Sequence, residues 1–258
     1  MKIYLQILFC FLVLSCTSNK KATNTKVDNQ EFEVKSDSAN WLDSSRNRLI
    51  PVAFYSPIVN EKIRNQQLVI VSHGYGENKP GANKSYSYLT KKLASKGYFV
   101  VSIQHELPTD DLLPLTGIPQ VVRRSNWERG AENILFVLNE LKKIKPELDF
   151  KHVNLIGHSN GGDMTVLFAH KYPNLADKII SLDNRRMELP RTSQPKIYSL
   201  RSSDQSADEG VLPTVAEQKK FGIKIIKLPN TIHNDMNDRG NKRQKREINT
   251  YIMDFLRE

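Results

Sequence analysis

Residues 157–161 read Gly-His-Ser-Asn-Gly and put a serine where it could act as a nucleophile. The apolar run 153–156 before them has the length and branched content of a buried strand, and the apolar residues that follow, in "DMTVLFAHKY", repeat at helical spacing. A serine between a strand and a helix, with glycines two residues before and two after it, matches the nucleophile-elbow pattern. Glycines are needed because the backbone folds back sharply at such a turn. The pattern predicts Ser159 as a nucleophile.

A base and an acid that could activate this serine occur later in the chain. His233 follows the apolar run 223–228, and Asp204 follows the run 196–200 by a few residues. Serine is a poor nucleophile at neutral pH, so a histidine must take its proton and a carboxylate must fix the histidine tautomer. We therefore expect a triad of Ser159, Asp204 and His233. Asp208 in the same loop and Asp183 at the end of the run 178–183 are the alternatives for the acid.

Glycines also follow an earlier strand, in the sequence His73-Gly74-Tyr75-Gly76. Such a turn can direct backbone N–H groups toward a bound substrate. We expect the N–H groups of Tyr75 and Asn160 to form an oxyanion hole, because backbone donors aimed at developing negative charge are a main source of rate enhancement. His73 and His158, which flank these turns, are expected to brace them through local hydrogen bonds.

The elements that must position these groups alternate between strand and helix. Predicted strands cover 48–57, 67–74, 98–105, 153–156, 178–183, 196–200 and 223–228, and predicted helices cover 85–97, 125–144, 161–172 and 243–256. This alternation predicts an α/β fold with a mostly parallel central sheet and helices on both faces. Two prolines, Pro51 and Pro57, suggest that the first strand lies at a sheet edge. Ligands of such sheets bind at the carboxyl ends of the strands, where the candidate residues fall.

One long connection, residues 106–126, interrupts this regular alternation. Loops of this length in compact domains are usually functional. We expect it to line the cleft, with Leu112, Leu113, Leu115 and Ile118 as an apolar wall. The connection before the strand 196–200 has only about a dozen residues and is too short for a separate cap domain.

Composition limits the possible partners of the chain. The 258 residues carry a net charge of +10, but the Lys and Arg residues are scattered in pairs without interleaved aromatic residues. This pattern argues against nucleic-acid binding and is compatible with an anionic membrane surface. No nucleotide-binding loop or zinc motif occurs, so we expect no cofactor and no metal.

The amino-terminal residues have the pattern of a targeting segment. Lys2 precedes an apolar stretch, residues 3–14, that is too short for a comfortable membrane span and is typical of a signal peptide. Residues 13–16, Val-Leu-Ser-Cys, resemble a bacterial lipobox, which implies lipidation of Cys16. We expect a signal peptide over 1–15, a polar tether over 16–45 and a folded domain over 46–258. Cys10 and Cys16 are the only cysteines, so that domain has no disulfide and no thiol nucleophile.

Several motifs together resemble those of the α/β-hydrolases. They are "VSHGYG", "LASKGYFVVSIQH", "GHSNGG", "RSSD" and "TIHND", and the resemblance extends over about residues 48–258. It is similar to the small serine esterases, near the polyester-hydrolase and platelet-activating-factor-acetylhydrolase branch. The resemblance implies an α/β-hydrolase fold and a serine hydrolase that cleaves carboxylic esters through an acyl-enzyme. Because no cap domain is expected, the groove should be open and partly apolar, which favours esters with short to moderate acyl chains.

Two other functions stay open at this point. A peptidase or a thioesterase would use the same triad, because acyl transfer needs the same groups whatever the leaving group. A non-catalytic binding lipoprotein could also share the fold. We favour the enzyme, since a binding module has no need of a serine, an acid and a histidine at strand ends. The expected partners are a small ester and, through the lipid on Cys16, a membrane of the bacterial cell envelope, on its periplasmic or outer face.

Overall fold

A computed structural model describes residues 31–61 and 63–258. The predicted signal peptide, Cys16 and the first half of the predicted tether lie outside the described residues. The strands are Val34–Asp43 (β1), Arg48–Pro57 (β2), Gln66–Ser72 (β3), Phe99–Ile103 (β4), Leu148–His158 (β5), Lys178–Leu182 (β6), Lys196–Arg201 (β7) and Lys224–Lys227 (β8). The helices are Ser87–Ser95 (α1), Pro119–Val122 (α2), Arg124–Ile144 (α3), Ser159–Lys171 (α4), Val215–Phe221 (α5) and Lys242–Arg257 (α6).

The strands form one sheet in the order β1-β2-β4-β3-β5-β6-β7-β8. The pairs from β4 to β8 are parallel, and β1 and β2 are antiparallel to their neighbours. Side chains of β3 alternate between the two faces, as the pleat requires. Leu68 and Ile70 pack with the apolar residues of α3 and α4, whereas Val69 and Val71 pack with those of α1 and α6. The sheet is therefore covered by helices on both faces, as the sequence predicts.

The first strand differs from the sequence-based expectation. Residues 34–43, which composition assigned to the polar tether, form β1 and pair along their whole length with β2. Consequently β2 is not an edge strand, although Pro51 and Pro57 suggested one. The sequence does not reveal β1 because most of its side chains are polar and most are exposed. The strand therefore lacks the apolar run that marks a buried strand.

The parallel strands determine where the loops that follow them converge. The loops after β3, β5, β6, β7 and β8 all leave the carboxyl edge of the sheet, which is the edge expected to bind ligands. None of the helices in the described part of the chain is long and apolar enough to cross a membrane.

Candidate active site

Ser159 occupies a strained turn between β5 and α4. Its φ is +52°, in the left-handed region that a side chain with a Cβ seldom adopts. The two glycines around it are required by close packing. A Cβ on Gly157 would lie 2.4 Å from the carbonyl oxygen of Gly161, and one on Gly161 would lie 2.2 Å from that of His73. The turn therefore projects the serine hydroxyl into the cleft above the sheet, as the elbow pattern predicts.

His233 connects this hydroxyl to a buried carboxylate. Its Nε2 lies 2.9 Å from the Ser159 Oγ, and its Nδ1 lies 2.6 Å from an Oδ2 of Asp183. An ionised carboxylate can only accept hydrogen bonds, so Nδ1 carries the proton and Nε2 accepts from the serine hydroxyl. This is the tautomer in which the imidazole can act as a base toward the serine.

Asp183 is held ionised by the groups around it. Its side chain is fully buried, and it accepts the backbone N–H and the hydroxyl of Ser202 at 3.0 and 2.6 Å. A guanidinium nitrogen of Arg201 lies 3.0 Å from Oδ1, the oxygen that also accepts the Ser202 N–H. Burial alone raises the pKa of the Asp183 carboxyl, but the hydrogen bond from His233, the charge of Arg201 and the bonds from Ser202 outweigh burial and lower that pKa below its usual value.

The prediction that Asp204 is the acid of the triad is therefore wrong, because the carboxylate that contacts the imidazole is that of Asp183. Asp204 is exposed, and its carboxylate accepts the backbone N–H of His233 at 2.7 Å instead of the imidazole N–H. Asp208 is also excluded, because its carboxylate pairs with Arg186 and Gln120. Asp183 directly follows β6, whereas Asp204 lies beyond β7, so the carboxylate reaches the histidine from the strand next to the serine strand.

The two residues expected to form the oxyanion hole lie beside Ser159. Asn160 is the second residue of α4, and the first N–H groups of a helix have no acceptor within the helix. Tyr75 lines the same cleft as Ser159, and within residues 31–61 and 63–258 its N–H makes no hydrogen bond. Tyr75 thus borders the cleft and Asn160 directly follows Ser159, and their role in an oxyanion hole stays a prediction.

A chain of hydrogen bonds connects the glycine turn to the histidine loop. The Gly74 N–H donates to the Tyr86 hydroxyl at 3.0 Å, and this hydroxyl lies 2.6 Å from Nδ1 of His158. The other nitrogen of His158 lies 3.1 Å from the carbonyl oxygen of His233. Burial lowers the pKa of the His158 imidazole to about 3, and the neighbouring His233 contributes, so His158 is neutral at physiological pH. His158 thus braces two loops of the site, as expected for a histidine beside the elbow.

A second buried network fixes the start of α4. The side-chain oxygen of Asn160 accepts the indole N–H of Trp127 at 2.8 Å, and its NH₂ group donates to Glu106 at 3.0 Å and to Asn126 at 2.9 Å. His73 donates from Nδ1 to the Gly74 carbonyl at 2.6 Å and accepts the backbone N–H of His105 at 3.1 Å. Sequence reasoning did not find this network, because nothing in spacing or composition pairs residues of α3 and of the loop after β4 with the elbow.

The cleft above Ser159 and His233 has a volume of about 490 Å³. Its walls include Tyr75, Pro80 and Tyr86 together with polar and charged side chains from the loops after β3 and β8. Two other pockets in the described part of the protein, of about 530 and 540 Å³, are not lined by any residue of the triad.

The long loop 106–126 does not form the apolar wall that the sequence predicts. Leu113 is buried, with its N–H 3.0 Å from the Tyr75 hydroxyl, while Leu112, Leu115 and Ile118 are exposed and do not line the cleft. The cause is Asp110, which accepts two hydrogen bonds from Arg48 of β2 at 2.8 and 2.7 Å and so holds the loop against β2.

Solved structures with a similar fold include esterases. The esterase Est22 with p-nitrophenol superposes with a TM-score of 0.62 at 12% identity, covering 86% of this chain and 80% of that one. A dienelactone-hydrolase-like promiscuous phosphotriesterase from metagenomic libraries also gives 0.62 at 12% identity, with 86% and 97% covered. A bacterial heroin esterase gives 0.61 at 14% identity, with 90% and 86% covered. The chain has the α/β-hydrolase fold.

Sequence comparison adds partial matches to this chain. A probable serine hydrolase of Drosophila melanogaster is 26% identical over 124 residues, which are 47% of this chain and 38% of the relative. An ethanol acetyltransferase 1 of Eremothecium cymbalariae is 39% identical over 57 residues, 22% of this chain and 16% of the relative. The chain thus spans well under half the length of these curated relatives, and no family model matches it.

No metal site accompanies the triad within residues 31–61 and 63–258. Among the residues that the structure describes, no group of three or more His, Cys, Asp or Glu side chains is placed to hold a metal ion.

Proposed function

We propose that the protein is a serine hydrolase that cleaves carboxylic esters with short to moderate acyl chains through an acyl-enzyme. The observation that carries this proposal is the continuous path from Ser159 Oγ to His233 at 2.9 Å and from His233 to Asp183 at 2.6 Å. The hydrolases and esterases among the structural neighbours support the same class of reaction.

In this proposal His233 takes the hydroxyl proton on Nε2 while Ser159 Oγ attacks the ester carbonyl carbon. The carbonyl oxygen becomes an oxyanion and accepts hydrogen bonds from the N–H groups of Tyr75 and Asn160. When the intermediate collapses, the bond from carbon to the alcohol oxygen breaks and His233 returns its proton to that oxygen. Water then attacks the acyl-serine with His233 again as base, which releases the acid and restores Ser159. Asp183 stabilises the imidazolium in both steps.

A fluorophosphonate probe and a panel of p-nitrophenyl esters, thioesters and amides test the proposal. We expect covalent labelling and ester turnover by the wild type, and loss of both in Ser159→Ala. Ser206→Ala, which alters an exposed serine in the loop after β7, is the matched control and should retain both. Labelling that persists in Ser159→Ala would place the nucleophile elsewhere. If the folded wild type neither reacts with the probe nor turns over any substrate, the proposal is refuted and a binding function is favoured. Preferred cleavage of thioesters or amides would instead change the substrate class.

We propose further that Cys16 is lipidated and holds the hydrolase on a membrane of the bacterial cell envelope. The support is the Lys2, apolar stretch and Val-Leu-Ser-Cys sequence of residues 13–16. Several acyl chains on one residue give stable anchoring, whereas a single chain binds only marginally. Cys16→Ser should shift the protein from the detergent phase to the aqueous phase in phase partitioning. Cys10→Ser is the control and should not, and an unchanged distribution of Cys16→Ser would exclude the anchor.

A further inference from the structure

The charges of the catalytic cleft do not balance. Three residues that line it carry side chains charged at neutral pH in addition to the triad: Glu77, Lys79 and Arg239. Glu77 and Lys79 pair with each other at 2.5 Å, and both are exposed. Arg239, in contrast, has no carboxylate within ion-pair distance in the described part of the chain. These three side chains therefore sum to one net positive charge, and Glu77 interacts electrostatically with both Lys79 and Arg239.

The acid nearest to Arg239 in sequence is turned toward another element. The Asp238 carboxylate accepts the backbone N–H groups of Ser87 and Tyr88 at 2.9 and 3.0 Å and so caps the start of α1. The Asp238 N–H also donates to the Ser85 carbonyl at 2.9 Å. These three hydrogen bonds of Asp238 hold the loop that carries Arg239 against the start of α1. Arg239, six residues after His233, thus follows a residue that is held through both its carboxylate and its backbone N–H.

The walls around this guanidinium are polar as well. The loop after β8 contributes Asn234 and Asn237, and the exposed leucines of the loop 106–126 are absent from the cleft. A long acyl chain would find little apolar surface there. A guanidinium presents a planar fork of N–H donors that matches a carboxylate, and a single net positive charge matches a monoanion.

From these features we infer that the cleft selects esters that carry a carboxylate group, which Arg239 binds while Ser159 attacks the ester. This inference rests on the proposed function, since it names the substrate class of the same site. Arg239 acts here on specificity, and it takes no part in proton transfer.

Two p-nitrophenyl esters of equal acyl length test the inference: the monoester of adipic acid, which carries a carboxylate, and the hexanoate, which does not. We expect wild-type kcat/KM to be about five- to tenfold higher for the adipate ester, mainly through KM, as for a partly exposed charge-assisted contact. This preference should shrink as salt is added. In Arg239→Gln the ratio of the two kcat/KM values should fall to about one, and Arg239→Lys should keep part of it.

Arg246→Gln is the matched control, because it removes the same charge from an exposed arginine on α6 that does not line the cleft. It should keep the wild-type ratio. Equal wild-type rates on the two esters, or equal effects of Arg239→Gln and Arg246→Gln, would overturn the inference while leaving the hydrolase proposal intact. Failure to hydrolyse either ester, together with no fluorophosphonate labelling, would instead refute the proposed function.

Discussion

Replacing each of the two competing aspartates with asparagine gives the sharpest test of the site. In Asp183→Asn the buried side chain keeps its shape, but its NH₂ group can donate to His233 where the carboxylate accepted. The imidazole then favours the tautomer with the proton on Nε2, which cannot accept the proton of Ser159. In Asp204→Asn the amide oxygen can still accept the backbone N–H of His233, which is what Asp204 does at 2.7 Å.

The expected magnitudes follow from these two environments. Loss of the correct tautomer lowers kcat by about 10⁴-fold in triads of this kind, and we expect a loss of that order for Asp183→Asn. The same change leaves Arg201, whose side chain is 6% exposed, without its carboxylate. We expect this to lower the free energy of unfolding by about 3 kcal/mol, at the low end for a broken buried pair because Arg201 also donates to the Asn184 carbonyl. Asp204 is exposed, so Asp204→Asn should lower kcat less than about tenfold.

The assay measures kcat and KM with a p-nitrophenyl ester for both variants, and urea unfolding of the same samples. Unfolding curves separate lost chemistry from lost folding, since a folded Asp183→Asn protein with about 10⁻⁴ of the wild-type kcat is the expected result. Near-normal turnover by Asp183→Asn, or a larger loss in Asp204→Asn than in Asp183→Asn, would refute the assignment of the acid.

The remaining predictions concern pH and packing. The pKa of His158 is lowered to about 3 in the folded protein, against about 6.5 when unfolded, so its contribution to stability is complete above about pH 6.5 and is lost as the pH falls toward 3. The free energy of unfolding of the wild type relative to His158→Gln should therefore decrease by about 1.4 kcal/mol per pH unit in this interval, and a pH-independent difference in urea unfolding would contradict it. Gly161→Ala should lower stability by about 3 kcal/mol and abolish most activity, because its Cβ would lie 2.2 and 2.5 Å from the carbonyl oxygens of His73 and Ser72. Thermal unfolding and ester turnover of Gly161→Ala test this prediction, and a variant with the wild-type melting temperature and full activity would contradict it.

Several features were predictable because local chemistry dictates them. The glycines around Ser159 are required by backbone contacts within the same turn, so the elbow is visible in five consecutive residues. The central strands β3 to β7 are visible because strands covered on both faces need continuous apolar runs. His233 follows such a run closely, and its place at the carboxyl edge of the sheet follows from parallel pairing.

Other features depend on neighbours that are distant in sequence. The sequence by itself determined the candidate nucleophile, the candidate base, the strand-helix alternation and the edge of the sheet where they meet. Tertiary structure alone decided that Asp183 and not Asp204 faces the imidazole, since both carboxylates bond to His233, one to its ring and the other to its backbone N–H. It also decided that β1 pairs with β2 and that the leucines of residues 112–115 do not line the cleft. The physical reason is that hydrogen bonds such as those of Asp110 and Asp183 join residues tens of positions apart, and neither spacing nor periodicity carries that information.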